Sequence, residues 1–350
     1  MEIEQHIWGF TPDGQAVILY TMRSADGALV RLTNIGAAVT EIHVPDRNGT
    51  VADVALGYRS WESYLSEGAA MGKSVGRYAN RIASGRFTLD GREYLLARNN
   101  PPNHLHGGVH GFGSRIWESR TEGNRVVFSL ASPDGDEGYP SGLDVEASFY
   151  WDDDHRLEIT YAATSDGATV VNLTSHLYLN LAGHDSGSVL GQTLQLDCSR
   201  FLVNDRVQIP TGEIAPVAGT PMDFLYAKEI GRDIDCDFDF MPAVGGYDHC
   251  WAVDGWQKNI LGRVGCMHDR NSGRKVEIFS SQPGVQIYTG NFLQGTPENK
   301  SGGRYADHDG VAIECQGFPD AVNHPTFPSQ VLRQGEMYVQ KTVYDFSVSE

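Results

Sequence analysis

Residues 170–183 read VVNLTSHLYLNLAG, and the alternation within them decides the fold class. Alternate side chains of a β-strand share a side, so Val171, Leu173, Ser175, Leu177, Leu179 and Leu181 form one face built for a core, while Asn172, Thr174, His176, Tyr178 and Asn180 form the other. The stretch predicts one strand running from Val170 to Gly183. Its second face holds no Lys, Glu or Arg. Neutral donors and acceptors ranged around one histidine suit an uncharged, polyhydroxylated ligand. The plainer alternative is a wet face on an antiparallel sheet with His176 an ordinary surface residue, and the strand by itself leaves both open.

The same pattern extends outward in both directions. Arg125 to Ser132, Leu143 to Trp151 and Arg156 to Ala162 read as strands separated by acidic turns at Asp134-Gly135-Asp136-Glu137-Gly138 and Asp152 to Asp154. These turns lack the regular oxygen spacing of a calcium loop and are expected to be solvated charge. Strands follow near Gln192 to Cys198 and Phe201 to Val207. Toward the N-terminus, Ala16 to Val44 alternates strand-like runs with turns at Asp26-Gly27 and Ile35-Gly36, a meander that continues through the turn 46–49 into Val51 to Leu56. Ser60 to Leu65 reads as one helical turn capped by Ser60, and Phe87 to Ala97 as a hairpin closed by Asp90-Gly91. With 40 glycines and no internal repeat or linker, the 350 residues are expected to form one all-β unit, a large single-domain antiparallel β-sandwich spanning 1–350.

A formal charge of -18 supplies no basic surface for nucleic acid or an anionic membrane and disfavours strongly anionic substrates. A neutral small molecule is the expected partner. The five cysteines include no CxxC pair, and an odd count of scattered thiols argues for reduced side chains rather than a disulfide framework. No apolar run reaches the roughly 18 residues a membrane helix needs, and Met1 to Phe10 has no signal-peptide character. The expected setting is cytoplasmic.

Five further segments carry chemistry. Gly76 to Ile82 (GRYANRI) sets Arg77, Asn80 and Arg81 in an irregular connection, and loops on a rigid scaffold commonly bear sites. Asn99 to Gly113 (NNPPNHLHGGVHGFG) is loop chemistry throughout. Its His104, His106 and His110 lack carboxylate or thiolate company and match no zinc pattern, so the loop is expected to bind no metal and to present His106 beside open backbone. Gly245 to His249 puts Asp248 after a glycine turn, where its carboxylate can accept hydrogen bonds from paired hydroxyls. Ser280 to Gly284 presents Gln282 at a strand margin. Finally, Val311 to Cys315 (VAIEC) is an apolar strand with one carboxylate. A glutamate is rarely buried unless paired, so Glu314 needs a salt bridge to an arginine or a chemical purpose.

Taken together, GRYANRI at 76–82, PNHLHGG at 102–108, NLTSHLYLNLAG at 172–183, GGYDH at 245–249, SSQPGVQIYTGN at 280–291 and ECQGFPDAVNHPTFPS at 314–329 resemble the aldose 1-epimerase (galactose mutarotase) family, in that family's order and across most of the chain. Cys250 departs from what the family would lead one to expect. The resemblance implies a β-sandwich with a sugar groove on one face and no metal or cofactor. It further implies Glu314 as general base, His176 as general acid, His106 assisting near the ring oxygen, and Asn80, Arg81, Asp248 and Gln282 as sugar contacts. Independently of family, anomer exchange needs one base for the C1 hydroxyl and one acid for the ring oxygen, and no nucleophile. The competing readings are a mutarotase for sugar phosphates, a non-catalytic sugar-binding module, and a glycosidase using Asp248 with Glu314 as its two carboxylates. Oligomeric state is not legible.

Overall fold

The computed structural model describes residues 1–66 and 68–349. Its strands pair antiparallel. The largest sheet has nine strands in the spatial order Glu118–Glu122, Arg125–Ser132, Leu143–Trp151, Arg156–Ser165, Met337–Val348, Arg274–Ser280, Gly262–His268, Thr193–Leu196 and Lys228–Glu229. A six-stranded sheet runs Tyr178–Leu179, Val311–Gln316, Gly284–Tyr288, Asp248–Ala252, Arg200–Asn204 and Pro210–Pro216. The N-terminal meander forms a five-stranded sheet of Glu2–Phe10, Ala16–Arg23, Leu29–Thr33, Ala38–Pro45 and Val51–Asp53.

Side-chain alternation explains how the sheets stack. In Leu143–Trp151 the odd-numbered residues are buried and Asp144 and Glu146 are exposed. Paired on Val145 and Ala147, the next strand buries Ala163 and Tyr161. This inner face shares one apolar core with Val285, Ile287, Val311 and Ile313 of the six-stranded sheet, which makes the sandwich. A slip of one residue would bury Asp144 and Glu146, so the register is firmly specified.

Val311–Gln316 obeys a different rule, being buried on both faces. Val311, Ile313 and Cys315 enter the core, which turns Ala312, Glu314 and Gln316 to the opposite side. On that side the segments around 76–82 and 104–113 bring Asn80, Arg81, Leu105 and His106 to the same pocket as Glu314.

The stretch 170–183 departs from the single strand expected of it. Only the pairs Thr169–Val170, Thr174–Ser175 and Tyr178–Leu179 are in strands, and each pair has a different partner: Val331–Leu332, Ser74–Val75 and Val311–Ala312. Polar side chains replace the interrupted ladder. Asn172 accepts from the Gly317 amide and donates to the Ala79 and Gly317 carbonyls, and Asn180 donates to the carbonyls of Gly187 and Asp309, which satisfies buried backbone groups where strand pairing stops. The leucine face does enter the core. The polar face is buried as well, with Asn172, Thr174, His176, Tyr178 and Asn180 all at most 5 % exposed, so the wet-face alternative fails.

Elsewhere the meander, the three strands before residue 165 and the hairpin over Asp90-Gly91 form as expected, and the helical turn spans Trp61–Ser66. Strands that the sequence reading does not anticipate include Glu2–Phe10, Pro210–Pro216, Gly262–His268, Arg274–Ser280 and Met337–Val348, the last three lying within the nine-stranded sheet. The turn at 134–138 is not merely solvated charge. Asp136 accepts from Arg115 and from Ser132, and Glu137 accepts from two backbone amides. Among the described residues no helix is long and apolar enough to cross a membrane.

Candidate active site

The outer face of the six-stranded sheet floors an open pocket of about 640 Å³. Strand pairing sets its rows: Tyr178, Ala312, Tyr288 and Asp248 lie in register across four strands, with Glu314 and Gln286 paired directly in the adjoining row. Because residues two apart share a face, Asp248 and Glu314, 66 positions apart in the chain, come to one side of one sheet.

The segments around 76–82 and 104–113 bring further groups. Asn80, with φ of 63°, donates its backbone amide to His106 Nδ1 at 3.2 Å and accepts the His106 amide at its carbonyl. An Nδ1 that accepts leaves the hydrogen on Nε2, so the neutral His106 ring is a donor at Nε2. Gly107 next to it, at φ of 83°, has no space for a side chain, since a Cβ there would collide with the Gly76 carbonyl. Arg81 donates from Nε to Asn100 Oδ1 and lies 3.6 Å from Asp248 Oδ2, while Gln286 Nε2 donates to Asp248 Oδ1 at 2.6 Å.

At the centre, His176 Nε2 and Glu314 Oε1 are 3.5 Å apart, and both side chains are almost wholly buried. The His176 and His106 rings meet edge to face at 5.3 Å. Glu314 Oε2 and His176 Nδ1 have no hydrogen-bond partner among the described residues, and no arginine ion-pairs with Glu314 there, which removes the structural salt bridge that would have explained the carboxylate away. Burial, reinforced by the nearby negative charge of Asp248 and opposed by Arg81, pushes the Glu314 carboxyl well above its ordinary range. Burial drives His176 down to about 4 and takes His106 well below its ordinary value. Desolvation disfavours the charged form of each group, so burial favours a protonated carboxyl beside a neutral imidazole in the unliganded pair.

Of the residues singled out from sequence, Asn80, Arg81, His106, His176, Asp248 and Glu314 line this pocket together. Gln282 does not. It sits beyond the start of Gly284–Tyr288, its amide held by Ser280 Oγ. The neighbouring glutamine four residues on, Gln286, pairs with Glu314 and holds Asp248 instead. Period-two counting from Asp248 and Glu314 would have found it had the strand pairing been known. Arg77 lies outside the pocket lining too, its guanidinium donating to the Ser132, Pro140 and Ser141 carbonyls. His104 bonds Ala97 and Tyr139, and His110 is exposed, so the three loop histidines do not converge.

The fold nevertheless gives His106 the carboxylate company its loop lacks, since one ring nitrogen each of His106 and His176 and a carboxylate oxygen of Glu314 lie within 4.8 Å of one another. A metal would need a lone pair from His106, and the Asn80 amide already holds the one at Nδ1. A second group, Glu41, His43 and Asp53, has its Asp53 carboxylate engaged by the Lys300 ammonium. The donor sets therefore favour proton chemistry over metal binding.

Residues 19–345 match the family model described as Aldose 1-epimerase. The chain is 43% identical over its whole length to galactose mutarotase of Bos taurus, covering 100% of both chains, and 38% identical to aldose 1-epimerase of Escherichia coli K12 over 96% of each. Among solved structures it is similar to the GalM/aldose epimerase homologue of C. elegans, with a TM-score of 0.86 and 30% identity over 94% of this chain and 98% of that one. The galactose 1-epimerase of Lactobacillus acidophilus has the same fold, with a TM-score of 0.86 at 24% identity over 100% and 99% of the two chains. A buried carboxyl and imidazole in one pocket of a β-sandwich, a family match over residues 19–345 and relatives of this identity lead to one conclusion: the chain belongs to the aldose 1-epimerase family.

Proposed function

We propose that this isomerase interconverts the α and β anomers of free aldohexoses, galactose and glucose, with Glu314 and His176 moving the protons and His106, Asn80, Arg81 and Asp248 engaging the sugar. The observation that carries the reading is the buried Glu314 and His176 pair, 3.5 Å apart at the floor of the pocket.

The proton inventory closes without any other reactant. With the ring closed, the pair acts as carboxylate and imidazolium. Glu314 takes the proton of the C1 hydroxyl while His176 gives one to the ring oxygen, and the bond from C1 to that oxygen breaks. The open-chain aldehyde then faces a protonated carboxyl and a neutral imidazole. After rotation about C1 to C2, the former ring oxygen attacks the other face of the carbonyl, Glu314 returns its proton to the aldehyde oxygen and His176 recovers its own. Burial of the pair in the empty pocket favours the neutral forms that match the open chain. General acid-base catalysis of this kind contributes about 10²- to 10⁴-fold.

Binding follows from the same surroundings. Asp248, held by Gln286 and faced by Arg81, offers a carboxylate beside a guanidinium, a pair suited to accept from and donate to adjacent hydroxyls. Arg81 is the sole Arg or Lys among the described residues lining the pocket, which favours a neutral sugar over a sugar phosphate. The cavity is of ordinary size for a small-molecule site and open enough for both anomers and the chain between them. Five free thiols, one of them exposed, suit the reducing cytoplasm.

Polarimetry on freshly dissolved α-galactose and α-glucose tests the reading directly. The protein should hasten the approach to the equilibrium rotation in proportion to its concentration; a rate no faster than buffer alone refutes it.

A further inference from the structure

The loop that presents His106 is built from residues in left-handed backbone: His106 at φ of 52°, Gly107 at 83° and Gly108 at 107°. Such a conformation at a histidine persists only where the surroundings over-determine it. On one side Asn99 does so, its Oδ1 accepting from the Leu105 amide and its Nδ2 donating to the carbonyls of Leu105 and Gly108. On the other side stands Glu137, which reaches in from the acidic turn. Its Oε2 accepts from the Val109 amide at 2.9 Å and its Oε1 from the His110 amide at 3.0 Å. A Cβ on Gly108 would collide with that carboxylate, so the loop is closed tightly over it. Glu137 is itself held in left-handed backbone at φ of 50°, in a turn braced by Asp136 on Arg115 and Ser132. Ser132 also receives the buried Arg77 of the other site segment. Glu137 does not line the pocket.

We propose that Glu137 is a positioning residue for the reaction: its carboxylate clamps two successive amides just past His106 and so aims the His106 Nε2 hydrogen at the sugar. The carboxylate suits the task because one amide takes each oxygen, whereas a bare turn would leave these two amides to water and the strained histidine held from the Asn99 side alone. The inference rests on reading the pocket as a mutarotase site with His106 as donor. Misplacing a catalytic contact by about 1 Å costs up to roughly 100-fold, which sets the expected scale.

The test is a double-mutant cycle by polarimetry, with Glu137→Ala and Glu137→Gln each made alone and with His106→Asn. Glu137→Ala should lower kcat/KM by about 10- to 100-fold. Glu137→Gln, which keeps one acceptor oxygen, should lose less than about fivefold, and neither should have a further effect beyond about twofold once His106 is gone. A wild-type rate in Glu137→Ala, or an equal loss with and without His106, overturns the proposal, because a merely structural residue would be indifferent to His106. If the alanine variant does not fold, the glutamine cycle carries the same comparison at smaller amplitude. Inactive wild-type protein would overturn the reading of the pocket and this proposal together, while active wild type with an indifferent Glu137 overturns this proposal alone.

Discussion

Replacing Glu314 by glutamine preserves the shape of the side chain and removes its ability to take a proton, and the structure gives the substitution two opposite consequences. Mutarotation should fall by about 10²- to 10⁴-fold, equivalent to about 3 to 5 kcal/mol of barrier, because no other described carboxylate lies against His176 Nε2. Stability should rise. The carboxyl is buried with one oxygen unpartnered and is pushed well above its ordinary range by desolvation, while in the unfolded chain it ionises near 4.5. Unfolding therefore releases a proton at every pH between 4.5 and the raised folded value. The stability this group contributes is complete below 4.5 and is lost as pH rises, at about 1.4 kcal/mol per pH unit. The Glu314→Gln variant has no such slope, so its advantage over wild type grows with pH across that window. Urea unfolding at several pH values together with polarimetry at neutral pH measures both effects. A variant within tenfold of the wild-type rate refutes the base assignment. A stability difference that does not change with pH refutes the protonation argument, whatever happens to the rate.

Substituting His176 by asparagine should lower kcat by about 10²-fold or more if the ring protonates the sugar oxygen; a change confined to KM would make His176 a binding residue and hand the acid role to His106. Asp248→Asn should act mainly on KM, since a clamp on hydroxyls is made in ground and transition states alike, and at about 1.5 to 3 kcal/mol per charged hydrogen bond the expected rise is about 10- to 150-fold. Cleavage of aryl glycosides by the wild type, abolished by Asp248→Asn, would instead revive the glycosidase reading. Gln286→Leu frees Asp248 Oδ1 and should raise KM, whereas Gln282→Ala, outside the pocket, should stay within about twofold of wild type; the reverse ranking in steady-state kinetics would restore Gln282 as the sugar contact. In the free protein kcat/KM should fall as pH drops through about 4, where His176 takes a second proton and Glu314 can no longer become a base; an acid limb near the ordinary histidine value would contradict the burial of the ring.

What the sequence made legible is what depends on the neighbours of each residue along the chain. Period-two alternation found the strands at 125–132, 143–151 and 156–162, and a lone glutamate in an apolar run marked Glu314. Two things escaped because they depend on pairing between distant strands. The 170–183 stretch alternates like one strand, yet Asn172 and Asn180 supply the hydrogen bonds that let the chain change partners, and side-chain bonds of that kind leave no mark on periodicity. Gln282 and Gln286 stand on equal terms in SSQPGVQIY until the register Gln286 to Glu314 is known. The acidic turn misled for the same reason: Asp136 and Glu137 look like solvated charge until Arg115 and the amides of Val109 and His110, all more than 20 residues earlier in the chain, come into view.

The chemistry of the pocket rests on an effect that no single residue carries. A solvent-exposed Glu and His at pH 7 would mostly hold no proton between them, since the carboxylate ionises near 4.3 and the imidazole near 6.5, and such a pair can accept a proton but has none to give to the ring oxygen. Burying both moves the two groups in opposite directions, Glu314 up and His176 down, which favours a pair that keeps a single proton. Ring opening needs one proton accepted and one donated at the same moment, and a pair holding one proton can do both once the sugar's hydroxyls help to stabilise the separated charges. The need for a dry floor then accounts for the architecture. A strand buried on both faces can carry a desolvated carboxylate on one side and a sandwich core on the other, and Val311–Gln316 is such a strand.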